Sequence, residues 1–324
     1  NHRVCIDIRG LYKLLHDVSF PVSLIRDIFD QLAGKKIFTT LDLKSAYNRF
    51  LVHPDDQHKL TFTHNNQQYS FRGTCFGLKH VTSIFCKVMA ILFQDLECAF
   101  TYVDDCLIAS DDYESHIRDV KTVIDRLTSV NLILNPDKCH WCQSSVYMLG
   151  FVIDEKGTSI DPRKLTNVEK WPIPQNNKDI QRFMGLINYF RDYIPMISKI
   201  AAPIDSLRNS PDVTAQWSNK QTESFNTLKK ILQSRTLLHF PDLQAKFYVA
   251  TDASLYGVAG VLFQKDSWGR IKHIAFASSS LSPSQRNWST TKRELYAVVY
   301  TLKTFRKFLW GKKFELHTDH KALV

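Results

Sequence analysis

The chain has 324 residues, 44% of them apolar and 23% charged, with a formal net charge of +10. These are the proportions of an ordinary folded protein long enough for two domains, and the positive excess favours a polyanionic partner, chiefly nucleic acid. No apolar run approaches the roughly 18–20 residues of a membrane-spanning helix, no signal-peptide pattern opens the chain, and all seven cysteines precede residue 143, which excludes a disulfide framework tying the whole chain together and fits a reducing, cytoplasmic setting with no membrane partner.

In chain order, Arg3 to Arg9 reads as a strand. A helix is predicted over 22–32, with Leu24, Ile25, Ile28, Phe29 and Leu32 at helical spacing, Pro21 ahead of it and Gly34 as its stop. Ile37 to Leu41 is a strand ending at Asp42, 83–96 a helix, 99–109 a hairpin and 116–130 a helix. Cys139-His140-Trp141-Cys142 has the spacing of half a zinc site, but no second ligand pair accompanies it, so these read as ordinary cysteines. Residues 146–153 read as a hairpin or strand pair, and Trp171-Pro172-Ile173-Pro174 as a boundary. Amphipathic helices follow at 178–194 and 219–233. Strands at 247–251, 257–264 and 271–277, a helix over 291–309 and a strand at 313–318 then form an α+β unit. The last residues, Thr318 to Val324, supply no closing element, and both ends read as cuts through folded units.

Tyr102-Val103-Asp104-Asp105 lies between two apolar runs, which places two carboxylates at the tip of a short hairpin. Asp42 ends an earlier strand. Nucleotidyl transfer needs carboxylates holding two Mg²⁺ ions about 3.5–4 Å apart, and Mg²⁺ takes few protein oxygens, so two or three aspartates suffice. An isolated Asp-Asp pair is better explained as turn residues.

The surrounding motifs decide between these readings. Leu41-Asp42-Leu43-Lys44-Ser45-Ala46-Tyr47 and Tyr102-Val103-Asp104-Asp105 resemble, in order and spacing, the first polymerase motif and the metal-binding hairpin of gypsy-type LTR retrotransposon reverse transcriptases. The resemblance implies that Asp42, Asp104 and Asp105 are metal ligands and that Tyr47 is the aromatic gate under the incoming sugar. By the same match, Arg3 contacts the triphosphate, Lys59 is a basic fingers position, Gly77 lies in the template-positioning loop Phe76-Gly77-Leu78-Lys79, and Lys138 in Asn135-Pro136-Asp137-Lys138-Cys139 acts as an acid or phosphate clamp. Met148-Leu149-Gly150 resembles the primer grip. One motif departs. After the template loop the family has Asn-Ala-Pro-Ala-x-Phe-Gln, where this chain has His80-Val81-Thr82-Ser83-Ile84-Phe85-Cys86, and Cys75 stands where the family has proline.

A second carboxylate set follows. Asp252 closes a strand, Glu294 is expected in the first turn of the later helix, and Asp319 ends a strand. Thr291-x-x-Glu294 also reads as a capping box. The segments around these residues resemble the ribonuclease H domain of the same family, which implies that Asp252, Glu294 and Asp319 are catalytic metal ligands. A fourth family aspartate lies in a later element, so weak or no hybrid cleavage is expected of residues 1–324.

The fold expected is α+β, a right-hand polymerase followed by a partial RNase H-like domain. Residues 1–155 form incomplete fingers and palm, 156–243 the thumb and connection, and 244–324 the truncated RNase H-like domain. The implied activity is RNA-directed DNA polymerisation with Mg²⁺, or Mn²⁺ in its place. The implied partners are an RNA template, a DNA primer, the RNA:DNA hybrid and deoxynucleoside triphosphates, in a virus-like particle. Lys164, Lys170, Trp171, Arg182, Tyr189, Phe190, Arg191 and Tyr193 form a basic and aromatic stretch that would track the duplex backbone, with core packing the alternative for the aromatics. The altered template motif leaves a second reading, a catalytically inactive relative that only binds nucleic acid or serves as a structural subunit.

Overall fold

The computed structural model describes residues 6–16, 18–75, 77, 78 and 80–323. Its contacts divide the chain into two compact units, Asn1–Leu149 and Gly150–Val324. No helix among the described residues is long and apolar enough to cross a membrane.

The first unit is organised by β1 (Ile37–Leu41), at an inner position of an antiparallel sheet. β2 (Thr61–His64) and β3 (Gln67–Ser70) make a separate hairpin. The main sheet runs in the order β4 (Ala99–Tyr102), β5 (Asp105–Ser110), β1 and β6 (His140–Gln143), and β7 (Ser145–Met148) follows in the chain. The helices are α1 (Ile25–Asp30), α2 (Val81–Leu92) and α3 (Tyr113–Ser129). Phe85 and Met89 of α2 and Val123 and Leu127 of α3 form one core with Leu41, Cys106 and Ile108. β5 is flanked by strands on both sides and is buried from Cys106 through Ser110, as its near-continuous apolar sequence requires. The helix α3 starts where Asp112 accepts a hydrogen bond from the Ser115 amide at 2.9 Å.

Several sequence expectations need correction. Residues 6–9 of the expected first strand are not a strand, and Arg9 instead pairs with Asp7. The rest of that segment lies outside the described residues. The helix at 22–32 is only α1, because Val22 and Leu24 remain exposed and give no packing to extend it. The helix at 83–96 ends at Leu92, whose carbonyl accepts a hydrogen bond from Arg126 at 2.8 Å while the same guanidinium pairs with Asp95.

In the second unit, β8 (Phe151–Asp154), β9 (Gly157–Ile160) and β10 (Leu237–His239) pair antiparallel in the order β10-β9-β8. Between β9 and β10 lie α4 (Pro162–Leu165), α5 (Asn177–Tyr189), α6 (Ile197–Asp205), α7 (Val213–Gln216) and α8 (Asn219–Gln233). Ser218 and Gln221 close a capping box at the start of α8. The helix α6 has no sequence expectation behind it, since Pro203 inside it cannot donate to the carbonyl four residues back. Buried Ile197, Ala201 and Ile204 hold it through packing.

The chain then forms a four-stranded sheet in the order β13 (Ile271–Ser280), β12 (Gly257–Lys265), β11 (Phe247–Ala253) and β14 (Phe314–His317). Its first three strands are antiparallel and β14 runs parallel to β11. The parallel return is made through α9 (Pro283–Arg286), α10 (Thr290–Thr304) and α11 (Arg306–Leu309). The expected single helix over 291–309 is thus broken at Phe305, which is fully buried beneath it.

Gly157 opens β9 just after a tight turn, at a position where only glycine fits. Its φ is +156°, and a Cβ there would lie 2.0 Å from the Leu238 carbonyl oxygen. Gly157→Ala is therefore expected to destabilise the chain by about 2–4 kcal/mol, read as a lower urea midpoint with an unchanged slope.

Candidate functional sites: two carboxylate clusters

The first cluster follows from strand register. Leu41 of β1 faces Cys106 of β5, and Tyr102 of β4 faces Asp105. Asp42, one residue beyond β1, is thereby brought beside Asp105, with Asp104 in the turn between β4 and β5. That turn is tight, and Val103 sits in the left-handed region at φ +51°, an unfavourable conformation for a β-branched residue. The packing around its carboxyl, then the charges of Asp104 and Asp42, push the Asp105 pKa up. Cys139 supports the Asp42 backbone, its sulfur accepting from the Asp42 amide at 3.4 Å. Lys138 places its ammonium 3.9 Å from the Asp42 carboxylate.

Tyr47 follows Asp42 in a short turn of helix, its ring edge-on to Phe85 of α2 at 5.3 Å. Burial, then a hydrogen bond to Asp104, push the Tyr47 pKa strongly up, while contact with Thr82 opposes the shift. Thr82 and Cys86, the two departures in α2, both face this cluster. Burial first and Asp104 second raise the Cys86 thiol pKa, and the Val103 amide donates toward its sulfur.

The remaining sequence candidates are more dispersed. Lys59 pairs with Asp56 at 2.5 Å and lines a cleft of about 550 Å³ with Ile6, Asp7, Ile8 and Phe62. Gly77 has φ +97°, and its carbonyl accepts from the Tyr12 hydroxyl. Arg3, Phe76 and Lys79 lie outside the described residues. In the basic and aromatic stretch, Phe190 and Tyr193 are core residues packed on Phe151. Arg191 bonds the Ser278 carbonyl at 3.0 Å, whereas Lys164, Lys170 and Arg182 are exposed.

The second cluster is built by the parallel pair. Ala250 of β11 faces His317 of β14. Asp252 and Asp319 each lie two residues farther along, so the parallel strands deliver both carboxylates to one edge of the sheet. Glu294 arrives from α10. Ligand atoms of Asp252, Glu294 and Asp319 lie within 4.8 Å of one another, the closest such grouping of three among the described residues. Glu294 is 5% exposed, and its Oε2 is buried without a hydrogen-bond partner. Burial, then the charges of Asp319 and Asp252, raise its pKa, which the Ala253 amide and His320 partly offset.

Glu294 lies in the second turn of α10, not the first, and the expected capping box is absent. Ser289 is the cap, accepting from the Lys292 amide at 3.3 Å, and the Thr291 hydroxyl pairs with His320 at 2.9 Å. A buried, unpartnered carboxylate oxygen converging with two other carboxylates fits a divalent cation, which would satisfy all three.

Residues 1–153 match the family described as reverse transcriptase (RNA-dependent DNA polymerase), and residues 217–316 match the RNase H-like domain found in reverse transcriptase. The retrovirus-related Pol polyprotein from transposon opus of Drosophila melanogaster is 30% identical over 336 residues, covering 100% of this chain and 33% of that protein. The chain belongs to the gypsy-type retrotransposon Pol family, in its reverse transcriptase–RNase H region. The transposon Tf2-3 polyprotein of Schizosaccharomyces pombe is 31% identical over 99% of the chain and 24% of its own length. The chain thus spans a third or less of these relatives. Among solved structures, a foamy viral protease-reverse transcriptase in complex with double-stranded DNA superimposes with a TM-score of 0.84 at 20% identity, covering 99% of this chain and 57% of that one. A foamy viral protease-reverse transcriptase in complex with an RNA/DNA hybrid gives 0.77 at 20% identity, covering 98% and 43%. The right-hand polymerase and RNase H-like architecture is thereby established for this chain.

Glu294 generates a test by stability. Its pKa is raised in the folded state, so its contribution is fully present below the ordinary carboxylate range and is lost as pH rises through the raised value. Glu294→Gln should raise the melting temperature of the metal-free protein by a few degrees at about pH 8, with the difference vanishing toward about pH 4. Scanning calorimetry in chelator across that range measures it.

Proposed function

We propose that the chain is an RNA-directed DNA polymerase using Asp42, Asp104 and Asp105 as metal ligands, with an attached RNase H-like site formed by Asp252, Glu294 and Asp319 that acts on the RNA strand of the hybrid. The observation that carries the first part is the register that brings three aspartates to the end of β1 and the β4–β5 turn. Mg²⁺, or Mn²⁺ in its place, would supply activation of the primer 3′-hydroxyl and neutralisation of the triphosphate. Asp42 and Asp105 hold charge at the edge of the sheet, and Asp104 ties the gate to the same site through Tyr47. The Tyr47 ring, packed on Phe85 and hydrogen-bonded to Asp104, would act as the gate against a 2′-hydroxyl. Lys138 offers a cation for a phosphate once Asp42 is committed to metal. Template RNA, primer DNA and deoxynucleoside triphosphates are the proposed substrates. Residues 1–155 serve as fingers and palm, 156–243 as thumb and connection, and 244–324 as the RNase H-like domain, within a cytoplasmic virus-like particle.

Primer extension on poly-rA with Mg²⁺ tests the reading. Asp104→Asn with Asp105→Asn should lower extension by on the order of 10³-fold or more. A folded wild-type chain that binds the hybrid and extends nothing would favour the inactive relative, the reading that Thr82 and Cys86 in α2 support. Tyr47→Ala should raise the efficiency of ribonucleotide relative to deoxynucleotide incorporation by about 10–100-fold, measured as a ratio of kcat/KM values.

A further inference from the structure

The RNase H-like cluster has a cation beside it that belongs to neither family segment. The helix α6 lies between residues 153 and 217, outside both matched regions. From it, Lys199 places Nζ 3.8 Å from Oδ2 of Asp252.

The backbone that carries Lys199 is fixed. The adjacent Ser198 is buried, and its amide donates to the Ser278 hydroxyl at 3.1 Å. The Ser278 hydroxyl donates in turn to the Val258 carbonyl at 3.2 Å. The Ser278 carbonyl accepts from Arg191 at 3.0 Å and from Tyr300 of α10 at 3.2 Å. Gly257 admits this packing, since a Cβ there would lie 3.0 Å from the Ser198 Cβ. A docked helix therefore presents a flexible ammonium to a site where three carboxylates crowd and the Glu294 Oε2 lacks a partner.

We propose that Lys199 is the resident counter-cation of this cluster, holding Asp252 until a divalent cation displaces its ammonium and so setting the metal concentration at which the cluster fills. The proposal rests on reading Asp252, Glu294 and Asp319 as metal ligands. The ammonium and the metal compete for the same oxygen, and the metal gains only the difference between the two attractions. Both partners are roughly half exposed, so the competition is modest and salt-sensitive. No covalent step is involved.

The test is Mn²⁺ binding to the full chain, followed by the electron paramagnetic resonance signal of free Mn²⁺. An Asp104→Asn, Asp105→Asn background removes the contribution of the first cluster. In that background Lys199→Met should tighten Mn²⁺ binding by about two- to fivefold at low ionic strength, shrinking toward unity in high salt. Lys199→Arg should stay near wild type, and adding Asp252→Asn to Lys199→Met should abolish the tightening. Circular dichroism checks that each variant is folded, with Lys199→Gln as the substitute should the methionine variant fail. Unchanged Mn²⁺ affinity would overturn the proposal and leave the metal site standing. So would unchanged metal affinity with weakened binding of an RNA:DNA hybrid, which would make Lys199 a phosphate contact. Mn²⁺ bound by neither protein would overturn this proposal together with the metal-site reading.

Discussion

Carboxylates do not gather of their own accord, yet this chain brings Asp252, Glu294 and Asp319 within 4.8 Å of one another and sets Asp42 beside Asp105 at the β4–β5 turn. Each cluster opposes folding through like-charge repulsion and desolvation, as the raised pKa values of Asp105 and Glu294 record. Something stronger must hold the carboxylates in place, and in both cases it is a sheet. Hydrogen-bonded register is cooperative along a strand, so a carboxylate one or two residues past the last pair is positioned without contributing to its own placement. The first cluster uses an antiparallel pair and a tight turn, and the second uses a parallel pair plus a helix.

The sheet of the first unit is anchored below its acidic edge by a buried polar network. His116 of α3 is fully buried and bridges the Thr39 hydroxyl of β1 at 2.8 Å and the Ser110 hydroxyl of β5 at 2.9 Å. Ser110 donates to Asp119 at 2.6 Å, and Thr39 accepts from the Cys142 amide of β6 at 3.0 Å. Burial lowers the His116 pKa, which keeps the ring neutral. A neutral ring donates from one nitrogen and accepts at the other, and the two hydroxyls, each able to donate or accept, can serve both. Three strands and a helix are thus locked in one register behind Asp42.

The altered residues of α2 fall where they affect the same site. A glutamine at position 86 would bring an amide with donors and an acceptor. Cys86 brings a small, buried thiol beneath Val103 and Asp104. Thr82, in place of proline, adds a hydroxyl near Tyr47. The departures therefore exchange side-chain reach for close packing under the hairpin tip.

Much of this was legible in the sequence. The hairpin around Asp104, the helices read at 116–130 and 219–233, and the strand succession from Phe247 show clean periodicity, and local physics suffices for them. All six carboxylates could be named because short motifs carry them. Local pattern misled where an apolar face had nothing to pack on, as before Ile25, and where Pro203 masked a helix held only by its neighbours. Sequence by itself determined the family, the candidate site residues and most of the long elements, since these depend on residue identity and short-range spacing. Tertiary structure alone decided that Cys139 carries the Asp42 amide, that Glu294 is buried with an oxygen unpartnered, and that Lys199 faces Asp252. Those contacts join residues distant in the chain, and no periodicity or propensity encodes a contact whose partners are brought together only by the packing of whole sheets and helices.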